Sequence, residues 1–120
     1  MDRHEKIDYV EFAAKDMEAT KAFFGVVFGW TFTDYGPDYM DSPGGGIMTG
    51  FFRANQQSTP TAGGALVTFY SSDLETTLDK ITAAGGTIMK PIFAFPGGRR
   101  FQFTEPSGNE FAVWSDQGME

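Results

Sequence analysis

Polar and apolar residues alternate along residues 7–14 (Ile-Asp-Tyr-Val-Glu-Phe-Ala-Ala) with the period of two expected of a strand. This sets Val10, Phe12 and Ala14 on one face and Tyr9, Glu11 and Ala13 on the other. The period then lengthens. Ala19, Ala22, Phe23, Val26 and Val27 follow at helical spacing, behind Asp16 as N-cap and Glu18 at the positive end of the helix dipole. Gly29 suits the left-handed residue that closes a helix. Strand patterns resume at Trp30–Tyr35, Tyr39–Ser42 and Ile47–Arg53, separated by Gly36-Pro37-Asp38 and by Pro43 with three glycines. Residues 54–63 are polar, contain Pro60 and have no period, so they read as a connector. The same order then returns: a strand at Ala65–Ser71, an Asp73-capped helix through Ala84 to Gly85-Gly86, and strands at Thr87–Lys90, Ile92–Phe95, Arg99–Thr104 and Glu110–Ser115. Pro96-Gly97-Gly98 turns the chain once, and Glu105-Pro106-Ser107-Gly108 has the composition of a type I turn.

The return is a duplication. At an offset of 57, Val10 meets Val67, Phe12 meets Phe69, Asp16 meets Asp73, Glu18 meets Glu75, Thr20 meets Thr77 and Gly29 meets Gly86. These six identities in 22 positions compare with roughly one expected from ordinary residue usage. The expectation is a single domain over residues 1–120: module one at about 6–53, the connector at 54–63 and module two at about 64–116.

Composition narrows the function. With 41% hydrophobic and 21% charged residues the chain is of the soluble globular class, and 120 residues suffice to bury about two thirds of the unfolded surface. A net charge of −7 argues against nucleic acid and anionic membranes as partners. The absence of cysteine removes disulfides, thiolate metal sites and a Cys nucleophile. Met-Asp-Arg-His-Glu-Lys leads into no apolar run of the signal-peptide kind, so the expected location is cytoplasmic. Thirteen phenylalanines promise an aromatic interior or pocket. Gly44-Gly45-Gly46 is followed by neither Lys-Ser/Thr nor a helix, so it is not a phosphate loop and is expected to let a strand approach its neighbour closely or bulge. His4, the single histidine, lies in a terminal tail and makes a poor base or ligand.

Two strand–helix–three-strand units, Phe28-Gly29-Trp30 at the end of the first helix, and Glu105-Pro106-Ser107-Gly108-Asn109 before a final apolar strand resemble the vicinal oxygen chelate superfamily of glyoxalases, bleomycin-resistance proteins and extradiol dioxygenases. The resemblance implies an α+β fold of two βαβββ modules whose mixed sheets curl into a cup. Helices would lie outside, a small-molecule ligand inside, and the chain would pair as a homodimer. It also implies a divalent metal held by His, Gln or Glu from the first and last strands of each unit. Here those positions are Tyr9, Leu66 and Ala112, so no metal ligands and no cofactor are expected at the usual place.

Within such a cup, Glu11 is the first candidate. A carboxylate among aromatics could take a proton from a carbon acid or hold a cationic group; the plainer reading is an inert Glu at the mouth. Tyr9 shares its face. Glu110, with the parity of Ala112 and Trp114, faces the cup from the other unit or is a solvated turn residue, and Trp114 is a pocket wall, core residue or dimer contact. Phe101 and Phe103 read as core, which turns Arg100 and Gln102 to the other face, with Arg100 a clamp for an anionic group or a surface residue. Tyr35, Tyr39 and Tyr70 offer hydroxyls. The expected function is a metal-independent, bleomycin-resistance-like binding protein for a small, partly aromatic molecule. The alternatives are a glyoxalase-like lyase, isomerase or dioxygenase using a relocated metal or Glu11 as general base, and a cup filled by its own side chains.

Overall fold

Asp16 and Asp73 each accept a hydrogen bond from a backbone amide three residues on, Ala19 N at 3.0 Å and Thr76 N at 3.2 Å, and so begin equivalent helices in the two units. The computed structural model describes residues 3–118. In chain order the elements are β1 (Tyr9–Ala14), α1 (Met17–Phe28), β2 (Thr33–Asp34), β3 (Tyr39–Ser42), β4 (Met48–Arg53), a 3-10 turn at Pro60–Ala62, β5 (Val67–Tyr70), α2 (Leu74–Ala83), β6 (Thr87–Phe95), β7 (Gly98–Thr104) and β8 (Glu110–Ser115). The duplication is complete in the topology. One sheet has the order β1-β4-β3-β2 and the other β5-β8-β7-β6. In each, the strand before the helix runs parallel to the last strand of its unit, and the remaining pairs are antiparallel. The fold is α+β, with no closed barrel. Among the described residues no helix is long and apolar enough to cross a membrane.

One face of each sheet enters a common core. Phe12 and Phe51 from the first sheet, Phe101, Phe103, Phe111 and Val113 from the second, and Phe23, Phe24 and Val27 from α1 are all buried. Rings from different elements touch directly: Phe12 and Phe111 at 5.0 Å, Phe24 with both Phe51 and Phe111 at 5.6 Å.

Four local expectations are corrected. The buried stripe of α1 is Met17, Thr20, Phe23, Phe24 and Val27; Ala22 and Val26 face solvent, the latter 75% exposed. Phe24 removes far more apolar area from water than an alanine does, and it turns the helix. The strand expected from Trp30 shrinks to Thr33–Asp34 because Trp30 is held in the core, stacked on Phe24 at 4.6 Å. Gly44 and Gly45 lie in a loop against the indole, where a Cβ at either position would collide with the ring, so the glycines serve Trp30 rather than a strand crossing. The two short strands expected at 87–95 form one strand, with Pro91 and two register shifts accommodated at the sheet edge.

The turn 105–109 ties the units together. Glu105 is 2% exposed and accepts from Thr20 Oγ1 (2.9 Å), Asn109 Nδ2 (2.8 Å) and the amide of Ser107. Asn109 also donates to the Ala13 carbonyl (2.8 Å) and accepts from Ser58 N (2.8 Å), while Ser107 Oγ accepts from Asp16 N (3.1 Å). Burial raises the Glu105 pKa above the ordinary carboxylate value despite these donors. In the unfolded chain the proton leaves first, so the group's stabilisation is complete below about pH 4 and is lost as pH rises through the folded value. Glu105→Ala orphans buried donors and is expected to lower stability by about 3 kcal/mol at acid pH. Urea unfolding of both proteins across pH 4–8 checks this, with the wild-type advantage shrinking as pH rises.

Candidate functional site

β4 carries a glycine at its centre, and the register puts a carboxylate on each side of it. Gly50 pairs with Glu11 on β1 and with Asp41 on β3, on the sheet face opposite the core. Tyr9 and Tyr39, each two residues from these acids along the same strands, lean in from opposite directions. Their hydroxyls converge above Gly50, where a Cβ would collide with both. Tyr9 Oη donates to Asp41 Oδ2 at 3.0 Å, Tyr39 Oη donates to Glu11 Oε2 at 2.9 Å, and the two hydroxyls are in hydrogen-bond contact with one another. Four oxygen-bearing groups thus make three contacts with two phenol protons. When one phenol turns its proton to the other, a carboxylate loses its donor and is open to accept from elsewhere. Both phenols have pKa values above that of a free tyrosine, first through burial and then, for Tyr39, through hydrogen bonding to Tyr9 and Glu11. Glu11 is exposed, and Asp41 and Tyr39 are half-buried.

The second sheet has its own outer face. Gln102 links Arg100 to Glu110: Arg100 Nη2 donates to Gln102 Oε1 at 3.4 Å, and Gln102 Nε2 donates to Glu110 Oε2 at 2.8 Å. The Arg100 guanidinium lies 5.3 Å from the Phe93 ring centre, and its Nε is buried without a hydrogen-bond partner. Tyr70 and Trp114 meet edge to face at 5.2 Å, and Tyr70 Oη donates to Asp116 at 2.6 Å, which raises the phenol pKa.

The seven expected site residues therefore fall into two groups: Tyr9 and Glu11 on the first sheet, and Tyr70, Arg100, Gln102, Glu110 and Trp114 on the second. Cavities that contain Tyr9 or Glu11 contain none of the second group. The solvated alternative for Glu110 is overturned. It is 7% exposed because Gln102 and the connector, whose Ser58 carbonyl accepts from Glu110 N, enclose it. Arg100 is half-buried on the outer face, whereas its neighbour Arg99 pairs with Glu75 of α2 at 2.6 Å. His4 is exposed and paired with Glu5. Asp41 escaped the sequence reading; its period-two relation to Tyr39 places both on one face, but only the pairing with Gly50 shows what that face meets.

The donor set does not suit the divalent metal that the resemblance implies. Tyr9 is engaged by Asp41, Ala112 is buried and has no donor side chain, and Leu66 offers none. Among the described residues no three His, Cys, Asp or Glu side chains converge as a metal site would require.

A family-wide sequence model described as "Glyoxalase/Bleomycin resistance protein/Dioxygenase superfamily" matches residues 6–113. The Mycobacterium bovis protein named "Putative glyoxylase CFP32" is 25% identical over 120 residues, which cover 89% of this chain and 44% of that protein. The chain thus spans less than half the length of this curated relative. Among solved structures, a glyoxalase-related enzyme from Fulvimarina pelagi superposes with a TM-score of 0.77 at 16% identity, over 92% of this chain and 88% of that one. The fosfomycin resistance protein FosX from Listeria monocytogenes does so with a TM-score of 0.77 at 17% identity, over 92% and 93%. At these identities the likeness is one of fold.

Gly50→Ala is expected to part the two phenols without removing either. Spectrophotometric titration at alkaline pH then shows Tyr39 ionising earlier than in the wild type, because its proton is no longer held against Tyr9. An unchanged titration curve disproves the bridge over Gly50.

Proposed function

Because the chain belongs to the glyoxalase/bleomycin resistance protein/dioxygenase superfamily yet carries Tyr9, Leu66 and Ala112 where that superfamily's metal ligands are expected, we propose that it is a metal-independent binding protein. Its ligand is a small, partly aromatic molecule bearing a cationic or donor-rich nitrogen. The observation that carries this reading is the phenol–carboxylate bridge over Gly50. Two acids and two phenols share too few protons to satisfy one another, so a ligand N–H completes the set, and tyrosine rings accept a cation on their faces.

A single protomer leaves Glu11 exposed, so the reading includes a homodimer. The first-sheet face of one protomer would lie against the second-sheet face of its partner, setting Glu11 and Asp41 opposite a face that carries Tyr70, Trp114 and Arg100. Twofold pairing of this kind yields two equivalent enclosed cups, each lined from both copies. A cytoplasmic location is part of the same reading, in keeping with a chain free of cysteine.

The 2.9 Å contact between Tyr39 and Glu11 supports a second reading. Glu11 would act as general base toward a carbon acid, with Tyr39 orienting its carboxylate, in a lyase- or isomerase-type proton transfer.

Thermal-shift screening against aromatic amines and their N-acylated counterparts separates these ideas. Binding predicts a melting temperature several degrees higher with the amines only, lost when Glu11→Gln and Asp41→Asn are combined. A melting temperature unmoved across the panel removes the binding reading. Turnover of a screened substrate that survives in Glu11→Gln removes the catalytic one.

A further inference from the structure

The common core is not closed everywhere. β1 and β5 are edge strands of their sheets, and in the gap between them lies a cavity of about 300 Å³, lined from the core-side face of β1 and from residues 67–70 of β5. It is on the opposite side of β1 from Tyr9 and Glu11, so it is not the face on which the proposed function rests. Val10 and Val67, one from each edge strand, are only half-buried here, although their neighbours Phe12 and Phe111 are almost fully covered. The gap is therefore a place where the core lacks material.

Its chemistry is narrow. None of the lining residues is Asp, Glu, Lys, Arg or His. The lining hydroxyls have all spent their protons: Thr49 Oγ1 donates to the Ile47 carbonyl at 3.0 Å, Thr68 Oγ1 to the Leu66 carbonyl at 3.3 Å, and Tyr70 Oη to Asp116 at 2.6 Å. Water here finds few partners, and a charged group finds no opposite charge. The walls are aromatic. Phe28 and Phe69 stack with ring centres 4.3 Å apart, and Trp30, held against Gly44 and Gly45, forms another side. Ring faces and edges of this kind favour a flat aromatic guest, and the lone pairs of Thr49 and Thr68 can each accept one hydrogen bond.

We infer that this cavity is a second binding site, for an uncharged aromatic molecule of one or two rings carrying at most a single donor. The volume is at the lower end for small-molecule sites, which suits such a ligand. The inference is argued from observations separate from the outer-face reading; the two sites share only Tyr70, whose proton is already given to Asp116.

Indole is the probe, with tryptamine and indole-3-acetate as cationic and anionic counterparts, followed on the intact chain by methyl NMR. Saturable shifts of the Val10, Ile47 and Val67 methyls with indole are expected, and at least about tenfold weaker effects at those methyls with either charged analogue. Val67→Phe fills the cavity from the second sheet and is expected to abolish the shifts. Ile47→Phe fills it from the first and serves the same purpose if the other variant does not fold. Absence of saturation with indole, equal response to the charged analogues, or unchanged binding in a folded filled variant overturns the site. So do intermolecular contacts to the Val10 and Val67 methyls in the protein alone, which mean that a second copy occupies the gap.

Discussion

Burial of one face of every long strand but β6 in a single aromatic core is the constraint from which the remaining features follow. Side chains alternate along a strand, so committing Val10, Phe12 and Ala14 to that core commits Tyr9, Glu11 and Ala13 to the opposite face as a set. The same holds on the second sheet. Phe101, Phe103, Phe111 and Val113 point inward, and Arg100, Gln102, Glu110 and Ala112 have no choice but to point out. A shift of one residue in either register would exchange the sets, burying Glu11 in place of Phe12. The aromatic area at stake makes such a shift prohibitive.

The core alone does not hold the units in one arrangement, because ring packing is tolerant of sliding. The turn 105–109 supplies direction. Glu105, Ser107 and Asn109 reach across to Thr20, Asp16, Ala13 and Ser58, and each of these bonds has an angular preference that hydrophobic contact lacks. A buried carboxylate is an expensive way to join two units. It is tolerable because Thr20 of one unit and the Asn109 side chain and Ser107 amide of the other all donate to it.

The outer faces that result are chemically unlike, although they derive from a duplicated unit. On the first, a glycine at the centre of β4 lets two phenols approach one another between two acids. On the second, the equivalent row of β8 carries Ala112, beside a glutamine that links an arginine to a glutamate. Duplication conserved the scaffold positions, Val, Phe, Asp and Gly at matched places, while the outward positions diverged. That division is expected of residues with different duties: the former are bound by packing, the latter by whatever the faces meet.

Read by itself, the chain already determined the two βαβββ units, both capped helices, the closing turn and the parity of every site residue but Tyr70. These depend on spacing, capping chemistry and alternation, all of which are local. Three things were decided only in three dimensions. The face of α1 was chosen by where Phe24 could find partners on two sheets. Glu110 was buried by a glutamine on a neighbouring strand and a connector that carries no pattern of its own. Asp41 acquired meaning only when pairing with β4 set it across Gly50 from Glu11. Each is a relation between segments far apart in the chain, fixed by volume and register, and no local pattern encodes such a relation.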